Sequence, residues 1–562
     1  MTLVRRIAFL AAVPALAACG TPRIVADAPA GAGAARMGPP GMSYLVSAEA
    51  AADARLRLGI LAADSLEGRE AGTDAERRAA AHIARWLADA GVEPGGDVVA
   101  GRRTYFQAFP VRTAWLDRDG TALAPDGLAP ARLGDDWITF PSAVPDAEGT
   151  FDVVFAGYGL SDPSRGHDDY AGLDVEGRVV VAMGGAPAGV DSVSGPAGTL
   201  PASALAARLV PALQRGARAL LIVAGGDVLD TWEQYSDFGR GTAMSLDNGE
   251  PPGTAPLPFA FVHPDYAARM LTAAGAPAGV AADAGAGRPV APISSAGRVR
   301  LGVEVGRAQG ESRNVVGVLP GAGAVAGEWV ALGSHYDHLG VVDGRIFNGA
   351  DDDASGTTAV LAVAEALARD RAAGTTDSRR SFAFVFHSAE EKGLYGSEFF
   401  TDNPDRSPVG AIDRVVAQIN LDMVGREHPD SLYVIGHDRL STSFARTVER
   451  ANAALGSGGR PLFTFDASLG APDHPERLYE RSDHYNYARF GVPIVFFTDG
   501  MGANWAKGQD RDDYHRDDDD TAAIDFEKLM DVARLTYEIA RVTADAPERP
   551  LVDRPVEPAG TD

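Results

Sequence analysis

Cysteine is nearly absent from this sequence. Its 562 residues include a single cysteine, Cys19. One cysteine excludes an intramolecular disulfide and a cysteine-ligated metal cluster. Any metal ion held within this chain must therefore be bound by histidine, aspartate and glutamate side chains.

Positive charge is also scarce. Lys and Arg together number 51 against 77 Asp and Glu, so the formal net charge is -26 at pH 7. Because an acidic surface repels phosphate backbones, we expect no nucleic-acid partner. The chain is longer than the roughly 100–200 residues of one domain, so its length predicts more than one domain.

Long apolar runs are missing as well. A helix that spans a bilayer needs about 20 apolar residues. Residues 7–18 form a shorter apolar stretch, which Pro14 interrupts and which Arg5 and Arg6 precede. This arrangement is typical of a secretory signal peptide rather than of a transmembrane helix.

The signal-like stretch ends in Leu16-Ala-Ala-Cys19, which resembles the lipobox of bacterial lipoproteins. In that family the cysteine is lipidated and becomes the mature N-terminus. We therefore predict a lipoprotein signal peptide over residues 1–18 and a lipid on Cys19. The expected location is the bacterial cell envelope, with the protein anchored to a membrane as a periplasmic or outer-membrane lipoprotein. The alternative is an ordinary signal peptide with a cysteine at this place by chance.

Changes in composition divide the rest of the chain. Residues 19–45 are rich in Ala, Gly and Pro and are predicted to form a flexible tether. Residues 119–295 contain short apolar runs between many Gly and Pro, and predict a small inserted α/β module. The flanking residues 46–118 and 296–545 are predicted to form one discontinuous main domain, and residues 546–562 a polar tail.

From Asn314 onward, predicted strands and helices alternate, which indicates a mostly parallel sheet with helices on both faces. In such sheets, ligands bind beyond the carboxyl ends of the strands. A histidine or an acidic residue occurs at five of these strand ends or in the loops that follow them. These residues are His335 and Asp337, Asp351 to Asp353, Glu390 and Glu391, Asp422, and His515.

Each of these groups also has an ordinary structural explanation. Asp353 or Ser355 can cap the helix that follows, and two adjacent glutamates can simply begin a helix. Capping does not account for three adjacent aspartates, however, and the convergence of five strand ends favours one common site. Two histidines and three carboxylates without cysteine suit a zinc ion in a hydrolytic site rather than in a structural one.

Six motifs together contain the residues singled out above, and a further motif, LEGREAG (66–72), lies near the start of the chain. In chain order the six are GSHYDHLG (333–340), NGADDDASG (348–356), SAEEKGLYGS (388–397), NLDMVG (420–425), SDHYNY (482–487) and DYHRDDDDT (513–521). These motifs resemble those of the co-catalytic di-zinc aminopeptidases, a family that includes bacterial leucyl aminopeptidases and is related to glutamate carboxypeptidase. The resemblance covers roughly residues 50–115 and 298–545, and the insert resembles a protease-associated domain. It implies a three-layer αβα zinc-peptidase fold with a mostly parallel mixed sheet, plus the smaller inserted α/β domain.

The resemblance implies two Zn²⁺ per chain. By this comparison, His335 and Asp422 bind one zinc ion, Glu391 and His515 bind the other, and Asp352 bridges them. Peptides are then the expected substrates.

The same resemblance assigns roles to residues that do not bind metal. Glu390 is the expected general base, Asp337 orients His335, and Tyr514 helps to stabilise the oxyanion. Asp353 departs from the family, in which many members have asparagine at this position. We expect Ser482, Asp483 and His484 to support the site by hydrogen bonding, and residues 517–520 to form a solvated acidic turn.

The expected activity is that of a zinc aminopeptidase that removes N-terminal residues from peptides. A carboxypeptidase or dipeptidase on the same scaffold is the first alternative. A catalytically silent, receptor-like binding protein is the second, and the presence of all five ligands and the base argues against it.

The lipobox-like motif generates a first prediction. Replacing Cys19 by alanine removes the acceptor of the lipid, so Cys19→Ala is expected to move the protein from the membrane fraction to the soluble fraction. Fractionation and mass spectrometry of the N-terminal peptide test this. A wild-type protein that is already soluble and carries no lipid would contradict it.

Overall fold

The computed structural model describes residues 39–162, 166–185, 202–249, 255–275, 279–280, 291–374, 380–426, 428–472, 474, 477–499 and 513–556. The predicted signal peptide and Cys19 lie outside the described residues, as does most of the predicted tether. Within the described residues, no helix has the length and apolar character needed to cross a membrane.

Helices and strands alternate along most of the described chain. The α-helices are α1 (Pro40–Leu45), α2 (Ala48–Leu61), α3 (Asp74–Asp89), α4 (Ala202–Gln214), α5 (Gly226–Asp230), α6 (Trp232–Arg240), α7 (Pro264–Ala273), α8 (Ala354–Ala373), α9 (Tyr395–Asp402), α10 (Thr442–Leu455), α11 (His484–Ala488) and α12 (Phe526–Asp545).

The strands are β1 (Glu93–Pro94), β2 (Val98–Val99), β3 (Arg102–Arg103), β4 (Phe106–Leu116), β5 (Ala122–Pro125), β6 (Trp137–Ile138), β7 (Ala147–Phe155), β8 (Ser161–Asp162), β9 (His167–Asp168), β10 (Val179–Met183), β11 (Ala219–Val223), β12 (Ala243–Leu246), β13 (Phe259–Val262), β14 (Arg298–Val303), β15 (Val305–Leu319), β16 (Trp329–His335), β17 (Gly340–Val342), β18 (Arg345–Phe347), β19 (Ser381–His387), β20 (Val415–Leu421), β21 (Ser431–Ile435), β22 (Thr464–Asp466) and β23 (Ile494–Thr498).

The larger sheet has the strand order β12-β4-β15-β19-β16-β20-β23-β21-β22, with β1 paired to β15. Its four central strands, β19, β16, β20 and β23, are parallel, and antiparallel strands flank them. Every residue of β16, β19 and β20 is buried, as expected for strands covered on both faces. The predicted mixed sheet is confirmed, but it is not mostly parallel, because the antiparallel pairs of β1, β4, β12, β15 and β21 extend it on both sides of the parallel centre.

Alternate side chains of each central strand enter two different cores. On β16, Val330 and Leu332 pack into the core that contains α8 and α12. Trp329 and Ala331 point the other way, into the core that contains α9 and α11. Helices therefore cover both faces of the sheet, as the strand–helix alternation predicts.

Helix α8 begins at the carboxyl end of the central strands. The side chain of Asp353 caps it, because Oδ1 accepts a 2.8 Å hydrogen bond from the Gly356 backbone N–H. The capping explanation is thus correct for Asp353. The cap places the preceding residues, Asp351 and Asp352, at the edge of the sheet where the parallel strands end.

A second sheet has the order β5-β14-β7-β10-β11-β13-β6 and its own buried core. Its central strands β7, β10, β11 and β13 are parallel. This sheet corresponds to the predicted small α/β module within residues 119–295.

Two strands cross the predicted boundary between the modules. β14 lies in the range predicted for the main domain, yet it pairs with β5 and β7 of the second sheet. β12 lies within the predicted insert, yet it pairs with β4 at the edge of the large sheet. Neither crossing could be predicted from composition. β14 continues into β15 with only Glu304 between them, so no linker separates the two sheets there. β12 joins the large sheet through Met244, which shares a small buried cluster with Phe109 and Val111.

Part of the predicted tether is ordered helix. Residues 40–45 form α1, in which Tyr44 and Leu45 are buried. The Tyr44 hydroxyl donates a 2.9 Å hydrogen bond to Glu365 on α8. Pro40 starts the helix and Gly41 lets it approach α8 closely, since a Cβ at position 41 would overlap the Ala366 carbonyl. Here Pro and Gly serve close packing rather than flexibility.

The packing of α8 against the sheet generates a prediction. A Cβ on Gly356 would overlap the carbonyl oxygen of Leu421 and the carboxylate of Asp353. Gly356→Ala is therefore expected to lower the free energy of unfolding by about 1–3 kcal/mol. Denaturant unfolding in the presence of a chelator measures this without a contribution from bound metal.

Gly59 on α2 is the matched control, because nothing lies within 4 Å of a Cβ at that position. Gly59→Ala is expected to raise the free energy of unfolding by about 0.5–1 kcal/mol through helix propensity. Equal effects of the two substitutions would contradict the steric argument.

Candidate metal centre

The parallel strands bring the predicted ligands together at one edge of the large sheet. Each comes from a different strand end or from a loop beside one, as the fold predicts for a ligand site. His335 ends β16, Glu391 follows β19, Asp422 follows β20, Asp352 precedes α8, and His515 lies between β23 and α12.

The first group of side chains is centred on His335, whose ring is buried. Its Nε2 lies 3.2 Å from Asp352 Oδ1 and 3.5 Å from Asp422 Oδ1. The other oxygen of Asp422 accepts a 2.7 Å hydrogen bond from the Ser482 hydroxyl, which in turn accepts one from Asn420. Ser482 therefore supports this group by hydrogen bonding, as predicted, whereas Asp483 and His484 are buried and make no hydrogen bond to the ligands within the described residues.

The second group is centred on His515. Its Nε2 lies 3.3 Å from Asp352 Oδ2 and 3.1 Å from Glu391 Oε2. Asp352 thus presents one oxygen to each group, so that its carboxylate lies between the two histidines.

These spacings match those of ligands around a metal ion. Two atoms bound at about 2.0–2.1 Å to one tetrahedral zinc ion lie about 3.3–3.4 Å apart. The distances of 3.1–3.5 Å within the two groups fall around this value. Histidine nitrogens with carboxylate oxygens are also a donor set that zinc accepts. The residues present therefore fit zinc.

Glu390 and Glu391 are adjacent in the chain but differ in environment. The backbone N–H of Glu390 donates to Asp337 Oδ1, and Glu390 Oε2 lies 4.0 Å from His335 Nε2. Burial raises the pKa of Glu390 well above its usual value, and although His335 opposes this, repulsion from Glu391 adds to it.

The pKa of Glu391 moves the other way. Burial and the nearby Asp352 raise it, but contacts with His515 and His338 outweigh them and lower it to about 2. Glu391 is therefore ionised and suited to ligate a cation, whereas its neighbour retains a proton more readily. Opposite shifts in adjacent carboxyl groups are a feature of acid–base sites.

The two histidines of the centre have raised pKa values. Burial lowers the pKa of His515, but Glu391 and Asp352 outweigh it and raise the pKa to about 10. For His335, burial is likewise outweighed by Glu390 and Asp422, so its pKa also rises. Because metal ions compete with protons for such ligands, binding of a metal is expected to release protons.

Asp337 and Tyr514 lie beside the predicted ligands. The Nδ1 of His335 is 3.2 Å from the backbone carbonyl of Asp337 and 3.8 Å from its carboxylate, so the carbonyl is the closer partner. The ring of Tyr514 stacks on that of His515 with centroids 3.9 Å apart. Their assigned roles in orienting His335 and in stabilising the oxyanion stay predictions.

A protein-family model matches the part of the chain that contains this centre. Residues 314–540 match the model of peptidase family M28. The match includes every predicted metal ligand, together with Asp337, Glu390 and Tyr514.

Solved structures show the same fold over most of the chain. The aminopeptidase from Aneurinibacillus sp. strain AM-1 superposes with a TM-score of 0.54 at 19% identity, over 90% of this chain and 97% of that one. BSAP, a zinc aminopeptidase from Bacillus subtilis, superposes with a TM-score of 0.53 at 19% identity, over 87% and 93%.

Curated relatives are similar over a shorter range. Leucine aminopeptidase 1 of Aspergillus fumigatus is 26% identical over 222 residues, which are 39% of this chain and 53% of that protein. Leucine aminopeptidase 1 of Trichophyton rubrum is 27% identical over 252 residues, 44% of this chain and 62% of that protein. The chain thus spans about half the length of the curated relatives that it matches.

Residues 314–540 contain a further contributor to the centre that was not apparent from the sequence. His338 is fully buried, and its Nδ1 lies 2.7 Å from Glu391 Oε1. Its only sequence signal is its place in GSHYDHLG, three residues after His335.

The acidic turn at residues 517–520 is only partly solvated. Arg516, Asp517, Asp518 and Asp520 are exposed, but Asp519 is 1% exposed, so the prediction is wrong for this residue. Its carboxylate accepts the backbone N–H groups of Asp351 and Asp352 and pairs with Arg426. A run of aspartates does not reveal which member turns inward.

Arg69 lies outside residues 314–540 but contacts them. This side chain is completely buried, and it donates hydrogen bonds to the backbone carbonyls of Tyr336, Leu61, Asn348 and Gly349 at 2.5–2.9 Å. It therefore holds the residues after His335 and those before Asp352 to the N-terminal helices. The motif LEGREAG contains this residue, but its role was not apparent from the sequence.

The contacts of Arg69 generate a prediction. Arg69→Met keeps an unbranched apolar side chain but removes the donors of four carbonyl groups and a buried positive charge. We expect the free energy of unfolding to fall by at least about 3 kcal/mol, measured by denaturant unfolding. Arg78→Met is the control, because Arg78 is 44% exposed and pairs with the exposed Glu67, so a loss below about 1 kcal/mol is expected. Similar losses in the two variants would contradict the assigned role.

Proposed function

We propose that this protein is a zinc-dependent aminopeptidase that holds two zinc ions per chain and removes N-terminal residues from peptides. The observation that carries the proposal is the division of Asp352 between two groups, one with His335 and Asp422 and one with His515 and Glu391. A carboxylate shared in this way suits a pair of co-catalytic metal ions.

Bound zinc would polarise the scissile carbonyl and lower the pKa of water to about 7. Glu390 is within reach of the centre without lying at ligand spacing from His335. As the general base, it accepts the proton of the attacking water and delivers it to the leaving amine. The burial that raises its pKa helps it to hold that proton between the two steps.

The names of the relatives support an aminopeptidase over the alternatives. The M28 match, the leucine aminopeptidase of Aspergillus fumigatus and the zinc aminopeptidase of Bacillus subtilis all indicate peptide hydrolysis. A carboxypeptidase or dipeptidase would use the same metal centre, and substrate tests distinguish the three. A receptor-like protein without activity is disfavoured, because every predicted ligand and the base are brought together.

We assign the second sheet as a protease-associated-like domain that shapes access to the centre. Asp343, at the turn between β17 and β18, pairs with Arg118 and with Arg240 of α6, the latter at 3.5 Å. This hairpin leads directly into the loop that carries Asp352. The insert therefore contacts a hairpin beside the metal centre, whereas the predicted ligands and the general base lie at the edge of the large sheet.

The proposed location follows from the N-terminal motif alone. A lipid on Cys19 would hold the enzyme at a membrane of the bacterial envelope, with the peptidase on the tether outside the cytoplasm. Peptides in that compartment would then be its substrates.

The different environments of Glu390 and Glu391 generate the test of function. Glu390→Gln keeps the size of the side chain and removes the proton acceptor, so kcat on an aminoacyl substrate is expected to fall at least about 10²-fold with zinc content near normal. Glu391→Ala removes a ligand and is expected to lower zinc content and thermal stability.

Metal stoichiometry, thermal unfolding and kcat are measured on both variants and on the wild type, against a panel of aminoacyl, carboxyl-terminal and dipeptide substrates. If the enzyme preferentially removes C-terminal residues, the aminopeptidase assignment is wrong and a carboxypeptidase replaces it. Normal turnover by Glu390→Gln, or loss of zinc from that variant, would show that the division of roles is wrong.

A further inference from the structure

His338 contacts the second group of ligands through Glu391. Its ring is fully buried, and its Nδ1 lies 2.7 Å from Glu391 Oε1. The other oxygen of Glu391, Oε2, lies 3.1 Å from His515 Nε2. Each oxygen of this carboxylate therefore has its own histidine.

The two contacts of Glu391 differ in kind. A separation of 2.7 Å is a charge-assisted hydrogen bond, and it is shorter than the 3.1–3.5 Å found within the two ligand groups. His338 Nδ1 is also 4.0 Å from Asp352 Oδ2, which exceeds the spacing of ligands on one tetrahedral ion. His338 thus contacts the carboxylate directly and does not share an ion with it.

The hydrogen bond has a defined direction. A carboxylate that binds a metal ion is deprotonated and only accepts hydrogen bonds, so in the proposed centre Nδ1 of His338 is the donor. The Nε2 atom of the same ring is buried and has no partner among the described residues. The bond to Glu391 is consequently the polar contact that orients this ring within the described part of the chain.

Packing holds the ring in this orientation. Gly349, with φ of 54°, lies so close that a Cβ there would overlap Cγ and Cδ2 of His338. On another side, the ring of His515 stands edge-on at a centroid distance of 6.0 Å. The backbone N–H of His338 is bonded to the carbonyl of Arg69 at 3.4 Å. The imidazole is therefore positioned before any ligand arrives.

We propose that His338 is a positioning residue that holds Oε1 of Glu391 by hydrogen bonding, so that Oε2 is turned toward the metal ion shared with His515. This rests on the proposed two-zinc centre. Partners that orient a ligand from outside the coordination shell typically contribute 10–100-fold to metal affinity. The effect is expected at the ion bound by Glu391 and not at the ion bound by His335 and Asp422.

The test compares His338→Leu with His338→Asn. Leucine is apolar and of similar size, whereas the amide nitrogen of asparagine can take the place of Nδ1 as donor. Zinc affinity is measured by competition with a chromophoric chelator, with zinc alone and no peptide. His338→Leu is expected to weaken one of two zinc sites by about 10–100-fold and to leave the other within about threefold, and His338→Asn to restore the weakened site to within about threefold.

A control variant separates this effect from general destabilisation. His437→Leu replaces another buried histidine, which lies outside both ligand groups, and is expected to leave both zinc affinities unchanged. Thermal unfolding of the metal-free proteins shows whether each variant folds, and His338→Ala takes the place of His338→Leu if the latter does not.

Several results would overturn the proposal. These are unchanged affinity in the variant without the donor, equal weakening of both sites, a deficit in His338→Asn as large as in His338→Leu, or fewer than two zinc sites in the wild type. Because no substrate is used, a wild type that binds two zinc ions but cleaves no aminoacyl substrate would reject the proposed activity and leave the assignment of His338 standing.

Discussion

Repulsion among buried carboxylates is the constraint on which this structure is built. Asp337, Asp351, Asp352, Asp353 and Glu391 are buried side by side at one edge of a sheet. Taking ionised carboxylates out of water costs several kcal/mol each unless opposite charge or hydrogen bonds compensate. Two arginines, Arg69 and Arg426, supply part of that compensation from the periphery, and metal ions between His335 and His515 would supply the rest. The surrounding elements are arranged to deliver these partners.

The three adjacent aspartates illustrate how the charge is divided. Asp351 accepts the backbone N–H of Gly425 and lies near Arg426, Asp352 contacts the two histidines, and Asp353 caps α8. Burial, reinforced by Asp422, raises the pKa of Asp353 well above its usual value. One explanation, ligand or cap, does not cover all three residues. Instead, Asp353 caps the helix, Asp351 holds the loop at Gly425, and Asp352 faces the proposed metal ions. The cap at Asp353 also sets the position from which Asp352 reaches both groups.

The strand ends and most ligands could be predicted from the sequence, because they depend on local signals. Apolar runs mark buried strands, and the parallel order brings their carboxyl ends together whatever the details of the loops. The contributions of Arg69, His338 and Asp519 could not, since each depends on a contact across the fold that no local pattern encodes. Arg69 lies 280 residues from the Gly349 carbonyl that it binds. For the same reason the Pro and Gly of α1 resembled a flexible segment, although α8 packs tightly against them.

Strand β12 lies within the predicted insert and covers part of the edge of the large sheet. It pairs with four residues of β4, Val111 to Ala114, whose other side is already paired to β15. An open edge offers a row of free N–H and C=O groups to any other strand, including one from a second molecule. Deleting residues 119–295 would remove β12 and expose this part of β4 to pairing with another strand. The insertion therefore shortens the open edge of β4, and the two modules are less separable than the spacing of their motifs suggests.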